Sequence, residues 1–257
     1  LGMTYFADGV PEVLSAGRTL MREGAAFLKI FVGGAVAGVY DPLDVAEYSL
    51  EEVKAAAEEA DRWNTYLAVH TYTDKSTQIA IKAGAKTLEH CNLITEETVL
   101  MAMDKGCYIS PQTGVYLSPA PAGFTPAQVA RQKQAAEGLD NLMTLCKKHN
   151  VKIAFGSDLL ASLEMKKMLP TEFTNRTKWF SNAEILAQAT SLNGEVLALS
   201  GPRNPYPGKL GVIEKGALAD ILLIDGDPLE DISILLKPEE SLALIMKDGK
   251  IYKNTIK

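Results

Sequence analysis

The stretch AFLKIFV, residues 26–32, decides the fold of this chain, and Gly33 and Gly34 follow it directly. Its short, nearly continuous apolar run is typical of a parallel strand that helices cover. Because side chains alternate along a strand, Lys29 shares one face with Phe27 and Phe31. A buried ammonium there requires a carboxylate partner, a depressed pKa suited to Schiff-base chemistry, or covalent modification. Alternatively, Lys29 extends its amine to solvent at the strand end.

Strands and helices alternate downstream of this stretch, which predicts a parallel α/β architecture. An open doubly wound sheet normally carries an early G-x-G-x-x-G turn, and the spacing of Gly33, Gly34 and Gly38 does not match it. We therefore predict a TIM-type (β/α)8 barrel to which this chain supplies about five βα units. The predicted strands are residues 26–32, 66–70, 87–91, 107–110 and 151–155, and the predicted helices are residues 8–24, 49–63, 74–83, 95–105, 182–199 and a long one ending near residue 150.

The alternation of strand and helix patterns ends after residue 200. Residues 201–208 form a linker rich in proline and glycine, and the apolar runs beyond it include a hairpin that turns at Asp248 and Gly249. So few strands cannot form a stable sheet alone. We predict a C-terminal part of a barrel over residues 1–200 and, over 201–257, the last strands of a small β-sandwich domain that segments outside this chain complete.

Composition narrows the possible partners. The 257 residues are 47% hydrophobic and carry a net charge of −6 without a basic cluster, which argues against nucleic acid. No apolar run approaches the roughly 20 residues that span a bilayer, so we expect no membrane partner. Three cysteines without metal-ligand spacing are expected to be reduced, buried thiols. A cytoplasmic location is favoured, and a secreted or periplasmic one stays open because the chain starts Leu1-Gly2-Met3.

Polar residues stand where predicted strands end, and the active site of a β/α barrel is built at that edge. They are His70, His90, Ser110 and Asp158. Structural explanations exist for them, namely core histidines and, for Asp158, a helix N-cap. Tyr72, Gln112 and Tyr116 are predicted to lie in loops that rim the pocket. Tyr116 is either a donor to a tetrahedral oxyanion or an aromatic wall.

Lys29, His70, His90 and Asp158 occur one per strand and in this order. With this pattern the chain resembles the metal-dependent amidohydrolase superfamily, specifically its prolidase-like and imidazolonepropionase-like branch. The order and spacing of several short motifs carry the resemblance, which covers nearly the whole chain. The motifs are FLKIF (27–31), VHTYT (69–73), LEHCN (88–92), AFGSD (154–158), GKLG (208–211), ADI (219–221) and DGDP (225–228).

The resemblance implies that Lys29 is carbamylated and bridges two divalent metal ions, most often zinc. His70 and His90 would bind one ion and Asp158 the other. Asp158 would also take the proton of a metal-bridging hydroxide during attack on an amide carbonyl. The implied activity is hydrolysis of a C–N bond in a small substrate, such as an N-acyl amino acid or a dipeptide, with Tyr72, Gln112 and Tyr116 at the substrate.

The family pattern also includes a His-x-His pair on the first barrel strand, which this sequence lacks. His149 is expected to be a solvated residue at a helix end instead of a substitute ligand. We therefore expect the N-terminal part of the same enzyme as a partner, either as a missing segment or as a separate chain, and a homo-oligomer. Two alternatives stay open: a mononuclear deaminase, although Thr73 stands where His-x-x-Glu would place an acid, and a non-catalytic barrel chain.

Overall fold

A computed structural model describes residues 4–159 and 166–256. Within them the chain divides into two compact units. The first unit contains residues 4–111, 119–153 and 196–205, and the second contains residues 112–118, 154–159, 166–195 and 206–256. The domain boundary proposed at residue 200 stays a prediction.

The first unit is built on a four-stranded parallel sheet whose strands pair in chain order. This confirms the predicted parallel α/β fold. Leu28 pairs with Leu67, and Leu88 with Ile109, which places their side chains on one face. The strands are β1 (Leu28–Phe31), β2 (Leu67–Thr73), β3 (Thr87–Leu93) and β4 (Tyr108–Ser110), and the helices of the chain up to residue 148 are α1 (Gly9–Arg22), α2 (Leu50–Arg62), α3 (Asp74–Ala83), α4 (Glu96–Asp104), α5 (Gly114–Leu117) and α6 (Pro126–Lys148).

Local sequence signals explain where several helices begin and end. The predicted capping box of α2 is present, since the Ser49 hydroxyl accepts from the Glu52 amide at 3.3 Å and the Glu52 carboxylate accepts from the Ser49 amide at 2.8 Å. Thr125 and Gln128 form a second capping box, which starts α6. Gly84 ends α3 with a φ of 103°, a conformation that glycine adopts without strain.

The sheet is not a closed barrel within the described residues. The strand predicted over residues 151–155 is reduced to one bridge between Ile109 and Ile153, so that prediction was too long. No described strand pairs with the outer side of β1. Strand β2 is longer than predicted, because its pairing with β3 continues to Thr73 and Leu93.

The prediction that both faces of the Lys29 strand are buried was wrong for this chain. Leu28 is buried, whereas Lys29 is exposed, and Phe27 and Phe31 are 36% and 41% exposed. The reason is that β1 is an edge strand in the described residues and that its Phe27, Lys29 and Phe31 face lacks a cover. Burial therefore gives no argument for modifying the amine, and the proposed role of Lys29 must rest on its neighbours.

The second unit contains a three-stranded antiparallel sheet, and the predicted sandwich is not confirmed. Its hairpin turns at Asp248 and Gly249, both with positive φ, as an Asp-Gly turn requires. The helix predicted over residues 182–199 is interrupted by a π-helical turn, Gln188–Leu192. The remaining elements of the chain are α7 (Thr171–Asn175), α8 (Asn182–Ala187), α9 (Asn193–Ala198), β5 (Ile221–Ile224), α10 (Pro238–Ser241), β6 (Leu242–Lys247), β7 (Lys250–Asn254) and 3-10 turns at Arg176–Lys178, Gly201–Arg203 and Ile232–Leu236.

Candidate metal centre

Two histidines meet at the carboxyl edge of the parallel sheet. The ring centroids of His70 on β2 and His90 on β3 are 4.4 Å apart, and both side chains are buried. The Phe31 ring stacks on His70 at 4.4 Å, and the Tyr72 ring stacks on His90 at 5.0 Å. The structure therefore brings these two predicted metal-binding residues together between two aromatic rings.

The backbone at the end of β3 makes this meeting possible. His90 and Cys91 have φ angles of 74° and 59°, in the left-handed region that side chains other than glycine rarely adopt. Such residues cost about 1–3 kcal/mol each and cluster at functional sites. Helix α6 supports the strained segment, because the Asn92 side chain donates to the Ala135 carbonyl at 2.9 Å. Gly138 lets α6 approach closely, since a Cβ there would overlap the Asn92 carbonyl.

His70 is held in the form that binds metal ions. Burial lowers the pKa of His70 to about 4; the nearby Lys29 charge also lowers it, while the hydrogen bond to Gly34 acts in the opposite direction. The imidazole is therefore neutral at pH 7. Its Nε2 lies 3.1 Å from the Gly34 carbonyl oxygen, which can only accept, so Nε2 carries the proton. The lone pair is left on Nδ1, as in histidine ligands that a carbonyl orients.

Lys29 lies beside the histidine pair. In the register of β1 and β2, Lys29 pairs with Ala68 and Phe31 with His70, which puts the three side chains of Lys29, Phe31 and His70 on one face. The Lys29 ammonium is 5.5 Å from the centroid of the Phe31 ring. Burial is the main reason for the lowered pKa of His70, and the Lys29 charge adds to it. The exposed Lys29 amine is accessible to carbon dioxide.

Sequence reasoning misplaced some residues of this site. Tyr72 lies within β2 and is buried, so its assignment to a loop was wrong. His90 pairs with Thr71 in the register of β2 and β3, and strict alternation would turn it away from the face of His70. The left-handed bend at His90 breaks that alternation. The sequence also gave no sign that the Gly34 carbonyl would orient His70.

Asp158, Gln112 and Tyr116 belong to the second unit, so their approach to the histidines stays a prediction. Asp158 is exposed and has a φ of 50°. Gln112 and Tyr116 are buried, and Tyr116 lies on the short helix α5 instead of in a loop. His149 lies at the end of α6, as predicted, but its side chain is only 20% exposed and its Nε2 is 2.6 Å from the Glu96 carboxylate, so the prediction that it is solvated was wrong.

The donor atoms of Lys29, His70 and His90 suit divalent metal ions. Within residues 4–159 and 166–256, no three His, Cys, Asp or Glu side chains form a group that could hold a metal ion. Lysine is not one of those four residue types, and a carbamylated Lys29 would add oxygen donors near the neutral His70 imidazole. Imidazole nitrogen and carboxylate-like oxygen are the donors that zinc accepts. The residues present therefore fit the implied metal.

We expect Gly34→Ala to weaken zinc binding by about 10- to 100-fold, the usual cost of losing a group that orients a ligand. A Cβ at Gly34 would overlap the Pro42 carbonyl, so the backbone must shift there, and we expect the Gly34 carbonyl to leave its place 3.1 Å from His70 Nε2. Competition against a chromophoric zinc chelator measures the affinity. Gly106→Ala is the matched control: Gly106 has a φ of 65° and open space around it, so that variant should lose stability only. Equal zinc affinity in both variants would contradict the role of Gly34.

Sequence comparison relates this chain to a known family of enzymes. Residues 1–252 match the model of the amidohydrolase family. An ochratoxinase from Aspergillus niger is 29% identical over 255 residues, which are 98% of this chain and 51% of that protein. The chain therefore spans about half the length of the curated relatives it matches.

Solved structures give the same result. The crystal structure of an amidohydrolase is 34% identical and superposes with a TM-score of 0.91 over 99% of this chain and 60% of the other. A prolidase complexed with N-methylphosphonate-L-proline is 31% identical, with a TM-score of 0.88 over 96% of this chain and 60% of the other. No described helix is long and apolar enough to cross a membrane. From its sequence match and its fold, this chain belongs to the amidohydrolase family.

Proposed function

We propose that this chain carries catalytic groups for metal-dependent hydrolysis of a C–N bond in a small amide, such as an N-acyl amino acid or a dipeptide. The observation that carries the proposal is the pair of buried imidazoles at 4.4 Å beside Lys29. The similarity of this chain to a structure described as a prolidase supports peptide-like substrates for the proposed reaction.

Each proposed residue has a distinct task. His70 and His90 would hold one ion through their ring nitrogens, and Lys29, when carbamylated, would supply oxygen donors. When bound, the ions lower the pKa of water and polarise the substrate carbonyl. Asp158 contributes to the second ion site, accepts the proton of the attacking water and delivers it to the leaving amine. Tyr72, Gln112 and Tyr116 contact the substrate, with Tyr116 as donor to the developing oxyanion.

The free side of β1 supports the proposed partner, an N-terminal segment bearing the His-x-His pair. A pocket of about 410 Å³ lies there, lined by residues 4–7, the apolar side of α1, and β1 including Lys29. An unpaired edge is a template for another strand. A strand added at this edge would bring its own side chains next to Lys29. The homo-oligomeric state stays a prediction.

Metal analysis combined with an activity assay tests the proposal. We expect the full-length protein loaded with zinc to hold about two ions per chain. It should release amine from a panel of Xaa-Pro dipeptides and N-acyl amino acids, and chelation should abolish the activity. One ion with release of ammonia would favour the deaminase alternative, and absence of both metal and turnover would favour a non-catalytic barrel chain.

A further inference from the structure

A buried ion pair lies at the centre of the second unit. Glu172 on α7 and Arg176 one helical turn later have side chains that are 1% and 0% exposed, and Arg176 Nε is 3.3 Å from the carboxylate. Burying two charges is expensive, and apolar replacements are often as stable as such a pair. Stability alone therefore does not explain this pair, and its other contacts show what it holds.

Glu172 holds the start of α5. Its carboxylate accepts from the backbone amides of Thr113 and Gly114 at 2.8 and 2.6 Å. It also accepts from the Thr113 hydroxyl at 2.9 Å. Three donors of one short segment thus end on one carboxylate. This segment carries Gln112 on one side and Tyr116 on the other.

Arg176 holds the segment that leads to Asp158. Its guanidinium lies 4.5 Å from the centroid of the Phe155 ring and donates to the Ala154 carbonyl at 3.5 Å. The same group donates to the Gln188 side chain at 2.8 Å. The Phe155 ring also packs against the Phe173 ring, tilted by 38° with the centroids 4.6 Å apart.

The Asn193 side chain makes two further hydrogen bonds to Phe155. Its side-chain oxygen accepts from the Phe155 amide at 2.9 Å, and its side-chain nitrogen donates to the Phe155 carbonyl at 3.0 Å. Residue 155 is therefore fixed at its ring, its amide and its carbonyl. Asp158 follows three residues later.

We propose that Glu172 and Arg176 are positioning residues that tie the Gln112–Tyr116 segment and the Asp158 segment to one buried ion pair. The inference rests on the proposed function, in which those two segments carry the oxyanion donor and the proton acceptor. Because both segments are bound to the same pair, a shift of one is passed to the other. Small displacements matter, since misplacing a catalytic group by about 1 Å can cost a hundredfold in rate.

The test compares two buried carboxylates. Glu172→Gln removes acceptor capacity that four donors use, whereas Glu59→Gln removes a buried carboxylate of the first unit that Arg18, Arg62 and Trp63 bind and that has no proposed catalytic role. Both variants should lose stability. Only Glu172→Gln should lower kcat by about a hundredfold with KM nearly unchanged. Hydrogen exchange of residues 112–118 and 154–159 should become about tenfold faster in that variant alone.

A third variant separates positioning from stability. The double replacement Glu172→Leu with Arg176→Met removes both buried charges, so it should be more stable than Glu172→Leu alone, but it leaves the Thr113 and Gly114 amides without their acceptor, so exchange stays fast and kcat stays low. Recovery of slow exchange in this double variant, or normal exchange in Glu172→Gln, would overturn the proposal. If the wild-type protein hydrolyses no amide, the proposed function fails, and the exchange measurements still decide whether the pair fixes both segments.

Discussion

Lys29→Met is expected to abolish metal-dependent hydrolysis, with a loss of at least about a thousandfold, because bound ions supply several kcal/mol of transition-state stabilisation. Methionine keeps the unbranched stem that packs near the Phe31 ring. It cannot be carbamylated, so the metal ligand proposed at this position is lost. Steady-state kinetics and bound zinc, measured on the same preparation, report both effects.

A second test of Lys29 asks whether metal loading depends on carbon dioxide. Metal loading of the apoprotein should require bicarbonate, and mass spectrometry of the intact loaded protein should show the added carboxyl group. Lys82→Met is the matched control, since Lys82 is an exposed lysine on α3. Full activity and full zinc content in the Lys29 variant would remove this residue from the metal centre.

Asp158→Asn is expected to lower kcat by about 10²- to 10⁴-fold, the range for loss of a positioned general base. The substitution suits this site, because Asp158 has a φ of 50° and asparagine is among the few residues that tolerate it. The backbone should therefore keep its conformation while the proton acceptor disappears. Kinetics with a dipeptide that the wild-type protein hydrolyses measure the loss.

Asp248→Asn is the matched control for Asp158. Asp248 also has a positive φ, 49°, but it lies in the hairpin turn between β6 and β7. Its replacement places the same chemical change on the same backbone conformation away from the proposed chemistry. Equal losses in the two variants would assign the effect to stability and would contradict a proton-transfer role for Asp158.

The repeated units of the parallel sheet were predictable from the sequence because their signals are local. The Ser49 and Glu52 capping box, Gly84 after α3 and the Asp248-Gly249 hairpin each depend on neighbouring residues only. The strand at residues 151–155 was predicted too long because apolar composition does not reveal whether a partner strand is within reach. The exposure of Lys29 was not predicted for the same reason, because the burial of a strand residue depends on the elements that pack against the strand, and the sequence of β1 does not specify them.

The sequence predicted which residues belong to the candidate site better than it predicted how they are arranged. His70 and His90 were selected because they follow neighbouring strands, and the structure brings them together. The left-handed bend at His90 was not foreseeable, because nothing in LEHCN requires positive φ. Glu172 and Arg176 show the spacing of an ordinary surface ion pair on a helix, so the sequence did not distinguish them from solvated residues.

Because of the π-helical turn Gln188–Leu192, the number of residues in this helical segment cannot change without reorienting the residues that follow it. It accommodates a wider turn than the α-helix on either side, and each residue rotates a helix by about 100°. Deleting a single residue within the turn would regularise the helix and swing Asn193 away from Phe155. A substitution at Thr190, the exposed residue of the turn, should therefore be tolerated far better than deletion of one residue from the turn.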